Sequence, residues 1–185
     1  MRKLLLSIEP VYGCRFPCPK CALGNVPKQI KYMKPSVLDQ AFKQLKKEYA
    51  LTGIAIQANF TMRGNPLGHE DLSGLVKIIK MHVPSAKVTV FWSLLDVPTQ
   101  KDLINRTKGI DALVISWDTQ HHRSVLDSLR AACTSKQLPG GKQAYQEMPK
   151  RLKWARNAQQ KNNFRVELRI VGSGSEQKLM AKKAG

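Results

Sequence analysis

Apolar residues fall into short β-leaning runs that alternate with longer stretches of helical period. The segments Lys3–Glu9, Gly53–Phe60, Ala86–Trp92, Asp111–Ser116 and Phe164–Val171 are rich in Val, Ile, Leu and Phe and predict five strands. Pro35–Ala50 spaces Leu38, Phe42 and Leu45 by four and three, and the stretch from about His69 to Met81 gathers Leu72, Leu75, Ile78 and Ile79 on one side. Both therefore predict amphipathic helices. Pro98–Thr107, a stretch near Ser124–Ala132 and the basic segment Gln143–Lys161 predict three more. Pro10–Pro27, dense in Cys, Pro and Gly, predicts a loop, as do Thr61–Gly68 and the break at Ser135–Gly141. Gly172-Ser-Gly-Ser175 opens a short polar tail, and no internal repeat or low-complexity block is visible.

Strand, helix, strand in regular alternation is the signature of βα units around a parallel sheet. Five such units can curl into part of a barrel or lie open in a doubly wound sheet, and the pattern accommodates both. Ligands gather at the loops after the strand C-termini in either fold, which is where the Pro10–Pro27 loop lies.

The chain of 185 residues is 42% hydrophobic, enough for the core of one domain and against global disorder. No apolar run reaches the roughly 18 residues of a membrane span, and the apolar stretch after Met1-Arg-Lys is too short for a signal peptide, so a cytoplasmic protein with no membrane partner is expected. With 31 Lys and Arg against 13 Asp and Glu the formal net charge is +18, and residues 142–185 carry 11 basic and 3 acidic side chains. Such a surface attracts a polyanion or nucleic acid. It suits equally a solvated helix face or the docking of an acidic electron carrier, and no recognised nucleic-acid module accompanies it.

Three of the four cysteines, Cys14, Cys18 and Cys21, lie within eight residues, and Cys133 stands apart as a small packing residue. This is no disulfide framework. The spacing C-x3-C-x2-C lets three thiolates converge from one turn. They could hold three irons of a [4Fe-4S] cluster and leave the fourth open, or bind structural zinc with His69 or Cys133 as fourth ligand. The missing second half of a zinc motif favours the cluster. His121 and His122 read as a solvated pair, His69 as a structural residue before a helix, and Trp92 and Trp117 as core aromatics.

A three-cysteine loop after the first strand of a βα chain resembles the radical SAM (S-adenosylmethionine) superfamily. Two further stretches carry the resemblance. Gly64-Asn-Pro-Leu-Gly-His-Glu-Asp-Leu72 is similar to the family's Gly-Glu-Pro-Leu-x-His-x-Asp-Leu, and Ser116-Trp-Asp118 after the fourth strand is similar to its Ser-x-Asp. The resemblance implies a partial (β/α) TIM-like barrel over residues 1–172, with about five βα units and no sixth. Residues 173–185 would be a polar tail or the start of a truncated helix, and a partner or further C-terminal segment would complete the barrel.

It also implies the chemistry of a radical SAM oxidoreductase or transferase-like enzyme. An electron from a ferredoxin or flavodoxin would reduce a [4Fe-4S] cluster on Cys14, Cys18 and Cys21, and S-adenosyl-L-methionine would be cleaved to a 5′-deoxyadenosyl radical that acts on an unidentified substrate. Lys20, Gly64, Asn65, Pro66, Ser116 and Asp118 would contact SAM. Two positions depart from the family pattern: Lys20 replaces an aromatic residue, and Asn65 replaces an acidic one. An amide oxygen still accepts a bond from an ammonium group, but without charge. The alternative is a non-catalytic basic nucleic-acid-binding module with a structural zinc or iron-sulfur site.

Overall fold

A computed structural model describes residues 2–14, 29–49, 54–60, 64–93, 97–118 and 148–171. Its elements run β1 (Arg2–Ile8), β2 (Val11–Tyr12), β3 (Lys31–Tyr32), α1 (Pro35–Glu48), β4 (Ile54–Phe60), a 3-10 turn (Pro66–Gly68), α2 (Leu72–His82), β5 (Lys87–Trp92), α3 (Gln100–Arg106), β6 (Ala112–Asp118), α4 (Met148–Asn162) and β7 (Arg165–Val171).

The helices form where composition and caps agree. Proline in the first turn of α1 loses no bond the helix needs, Lys46 and Lys47 meet the negative end of the helix dipole, and Leu38 and Phe42 are buried one turn apart. The Asp71 side chain accepts the Gly74 N–H at 3.0 Å and caps α2. Leu72, Leu75, Val76 and Ile79, at i, i+3, i+4 and i+7, are then almost wholly buried, each contributing roughly 1.5–3 kcal/mol. Thr99 caps α3 by accepting the Asp102 N–H at 3.1 Å.

Five strands form one parallel sheet in the order β1-β4-β5-β6-β7. The strands follow one another without reversal, an order consistent with part of a barrel. The helices agree: α1 packs on α2, α2 on α3 and α3 on α4, so they lie in one layer. β1 and β7 are the sheet's two edges. The register aligns Leu6 with Ala58, Ala58 with Val88, Val90 with Leu113 and Leu113 with Val166. These belong to the helix-packed core, together with Ile56, Phe60, Trp92 and Ile115. The alternate positions make a far more polar face: Ser7 is exposed and Gln57 and Asn59 half-buried, while Leu5 on the same face is 58% exposed.

At the end where the strands begin, Asp111 joins three of them. Its carboxylate accepts bonds from Lys80 Nζ at 2.7 Å, the Val88 N–H at 2.8 Å and Lys87 Nζ at 3.2 Å. Its backbone N–H donates to Val88 O at 2.8 Å and its carbonyl accepts from the Arg165 N–H at 3.0 Å. Burial raises the Asp111 carboxyl, but the Lys80 and Val88 bonds and the lysine charge outweigh that and hold it below its ordinary value.

Three details differ from the sequence expectation. The loop after β1 contains the two-residue strands β2 and β3, paired antiparallel, which are too short to leave a periodic signal. Ser116-Trp-Asp118 does not follow a strand but forms the last three residues of β6, because pairing with β7 continues from Ser116–Arg169 to Asp118–Val171. α2 begins at Leu72, since Pro66–Gly68 forms its own turn and Asp71 is the cap. The helix expected near Ser124–Ala132, the break at Ser135–Gly141 and the tail 173–185 lie outside the described residues.

Candidate functional site

Because the strands are parallel, the segments after β1 and β4 and the ends of β6 and β7 share one edge of the sheet. After β1 the chain passes buried Pro10 and enters β2. Val11 pairs with Tyr32 and Tyr12 with Lys31, and the Met33 N–H donates to Pro10 O at 2.9 Å. This ladder is a clasp at the neck of the cysteine loop. Gly13, at φ 96°, lies in the left-handed region open to glycine and turns the chain into half-buried Cys14.

The segment after β4 is pressed against that clasp. A Cβ on Gly64 would lie 2.2 Å from Val11 O, so only glycine allows the two backbones to approach so closely. Asn65 follows, 7% exposed, and its carbonyl accepts the Gly68 N–H at 2.8 Å to start the 3-10 turn. Pro66 and Leu67 are buried, and Arg106 Nη1 of α3 donates to Leu67 O.

His69 closes the arrangement. Its Nδ1 accepts the Asp71 N–H at 3.1 Å, which leaves the proton on Nε2, and Nε2–H donates to Met33 O at 2.9 Å. The Tyr32 ring meets the imidazole edge-on with centroids 5.8 Å apart. One histidine thus fastens the Gly64–Asn65–Pro66 loop to the strand that closes the cysteine loop. Both ring nitrogens are engaged within the fold. Its structural role agrees with the sequence expectation.

Ser116 and Asp118 lie at the same edge, their backbones paired to Arg169 and Val171. β6 is two strands from β4, about 10 Å at the usual strand spacing. Lys20, Cys18 and Cys21 lie outside the described residues, as do His121, His122 and Cys133. Trp92, 1% exposed, is a core aromatic as expected. Among the described residues no group of three or more His, Cys, Asp or Glu is placed to hold a metal, and no helix is long and apolar enough to cross a membrane.

Sequence reasoning missed the clasp, the Arg106 contact and the Gly64–Val11 approach. Only the glycine had a local signal. A Gly before Asn-Pro in a turn is ordinary punctuation, and its steric reason is supplied by a residue more than fifty positions away.

The fold and the placement of these loops define a class, an α/β chain with a singly wound parallel sheet and candidate ligand loops at its strand C-termini. A solved structure shares it: BtrN, a radical SAM enzyme, described as a crystal structure in complex with AdoMet and 2-DOIA. The TM-score is 0.54 with 21% identical residues over 94% of this chain and 59% of BtrN. This chain therefore spans under two thirds of BtrN's length, and the likeness is one of fold. No protein-family model and no curated protein matches the sequence.

Proposed function

We propose that this chain is a radical SAM-type domain in which Cys14, Cys18 and Cys21 hold a [4Fe-4S] cluster and the loop Gly64-Asn65-Pro66 receives the amino-acid end of S-adenosylmethionine. The observation that carries the proposal is the Gly64 contact. It sets the candidate loop for an amino group directly against the root of the candidate cluster loop, only three residues before Cys14. The fold likeness to BtrN supports the same reading.

The donor set suits the groups it would hold. Three thiolates from one loop would satisfy three irons, and the clasp brings the two ends of that stretch of chain together. Backbone exposed by the missing Gly64 side chain can approach a ligand closely, as glycine-rich binding turns do. The Asn65 amide oxygen is an acceptor for an ammonium group, and Lys20, beside Cys21 in sequence, would contribute a further contact. Ser116 and Asp118 supply a hydroxyl and a carboxylate of the kind that bind ribose hydroxyls, on the same sheet edge. When bound, the reduced cluster and SAM together supply reductive cleavage of SAM to methionine and a 5′-deoxyadenosyl radical that takes hydrogen from a substrate. An acidic electron carrier such as ferredoxin or flavodoxin would deliver the electron at this edge.

Iron and sulfide analysis after anaerobic reconstitution tests the reading. The wild type and Cys133→Ser should each retain close to four irons per chain. Cys14→Ala, Cys18→Ala and Cys21→Ala should each lose most of the iron and all release of 5′-deoxyadenosine. Equal iron in all five proteins would overturn the assignment.

A further inference from the structure

A groove of about 670 Å³ runs between α3 and α4, lined by Gln100, Lys101, Ile104, Asn105, Lys108, Lys161 and Asn162. Small-molecule pockets are mostly apolar with a few polar groups. Around the rim of this groove stand three lysines, three amides and a single apolar side chain, so its polar heads are cationic and amide groups carried on apolar stems. No carboxylate lines it, and among the described residues none pairs with Lys101, Lys108 or Lys161. The nearby Asp102 is held by Thr99, whose hydroxyl donates to it at 2.5 Å.

The surrounding surface extends the charge. Met148–Asn162 contains Lys150, Arg151, Lys153, Arg156 and Lys161 and no acidic residue. Trp154, Ala155 and Ala158 are buried, so α4 is anchored by small and aromatic residues on one side while Lys150, Lys153, Arg156 and Lys161 are exposed. Asn162 Nδ2 donates to Ile104 O at 2.7 Å and to Thr107 Oγ1 at 3.1 Å, which fixes the two walls of the groove relative to each other. The positive trough is therefore built into the helix packing.

We propose that the α3–α4 groove binds the sugar-phosphate backbone of a nucleic acid. Lysines are point-charge partners for phosphate, and the amides Gln100 and Asn105 add donors of the kind that hold phosphate and sugar oxygens, while Asn162 holds the groove together. No aromatic side chain lines the groove, so it lacks the stacking platform that reads or grips bases, and binding is sequence-indifferent. Its position separates it from an electron carrier's dock. Lys108, Lys161 and Asn162 lie just before β6 and β7 begin, at the opposite end of the strands from Cys14 and Gly64, where a carrier would have to deliver its electron.

The test is fluorescence anisotropy of the full chain with a labelled single-stranded RNA of mixed sequence and about 20 nucleotides, titrated over a range of salt. Replacing the three groove lysines together (Lys101→Gln, Lys108→Gln, Lys161→Gln) should make the log–log salt dependence shallower by about 2 and weaken binding about 100-fold at 0.1 M salt. The reference variant, Lys34→Gln with Lys46→Gln and Lys47→Gln, removes the same charge at α1. That helix lies two helices from α3, well beyond the roughly 10 Å Debye length, so it should change affinity little. Melting curves of both variants check that the fold persists. The proposal is overturned if the wild type shows no binding at low salt or if the two triple variants lose affinity equally. It is overturned too if the groove variant binds RNA normally while losing affinity for reduced flavodoxin. None of these outcomes bears on the cluster, which is read separately from iron content.

Discussion

Replacing Gly64 by alanine adds one methyl group at the point where the two candidate ligand loops touch. Its Cβ would sit 2.2 Å from Val11 O, 2.8 Å from the Val11 carbonyl carbon and 2.9 Å from Cγ1. Two of these neighbours are backbone atoms of a residue held in the clasp, so neither can swing aside as a flexible side chain would. The loops must separate by the better part of an ångström, a strain that typically costs about 1–3 kcal/mol. In a protein of this size that corresponds to a fall of roughly 4–8 °C in Tm for a 2 kcal/mol loss. Gly109→Ala supplies the comparison. Gly109 has φ +80° and lies against Val76 Cγ1, away from both loops, so alanine there should also destabilise, by about 1–2 kcal/mol. Urea unfolding with iron analysis on the folded fraction separates the two. Gly64→Ala should lose both stability and much of its bound iron and SAM affinity, whereas Gly109→Ala should lose stability alone. Gly64→Ala within about 0.5 kcal/mol of wild type, with full iron, would refute the reasoning that the contact positions the site.

His69→Ala removes the donor to Met33 O and the acceptor for the Asp71 N–H, leaving buried partners unsatisfied; a loss of about 2 kcal/mol in urea denaturation is expected, together with faster protease cleavage inside residues 15–28. Asn65→Asp puts a carboxylate at a position 7% exposed: it should lower the stability of the SAM-free protein by about 1 kcal/mol or more and tighten SAM several-fold in equilibrium dialysis, because the bond to the ammonium group becomes charge-assisted. Asp111→Asn should cost about 2 kcal/mol at pH 7. The folded carboxyl lies below its ordinary value, so its stabilisation is complete above the unfolded pKa and is lost as pH falls through the folded one. The gap between wild type and variant should close progressively below about pH 4 in urea midpoints taken against pH.

Much of the architecture was legible because it is local. Leu72, Leu75, Val76 and Ile79 announce α2 by spacing alone, and the apolar run Lys87–Trp92 announces β5. The order of the strands in the sheet was not legible, since the same βα alternation serves a barrel sector and a doubly wound sheet. The cysteine trio and the Gly64 loop were found by spacing, but what joins them was hidden. The β2–β3 clasp is two residues per strand, and its pairing bridges an 18-residue gap between Tyr12 and Lys31. His69 carries no sign in sequence that its partner is Met33, 36 positions earlier. The groove between α3 and α4 follows the same rule: the charge of α4 was plain, while Lys101 of α3 and Lys108 just after it became its neighbours only through packing.

The most direct test of the radical SAM assignment is electron paramagnetic resonance of the anaerobically reconstituted, dithionite-reduced chain, recorded with and without S-adenosylmethionine. A reduced [4Fe-4S] signal whose g-values shift on addition of SAM is the predicted result, because an open iron next to the Gly64–Asn65 loop would take the cofactor directly. A cluster signal indifferent to SAM, or a colourless protein carrying one zinc, would contradict it.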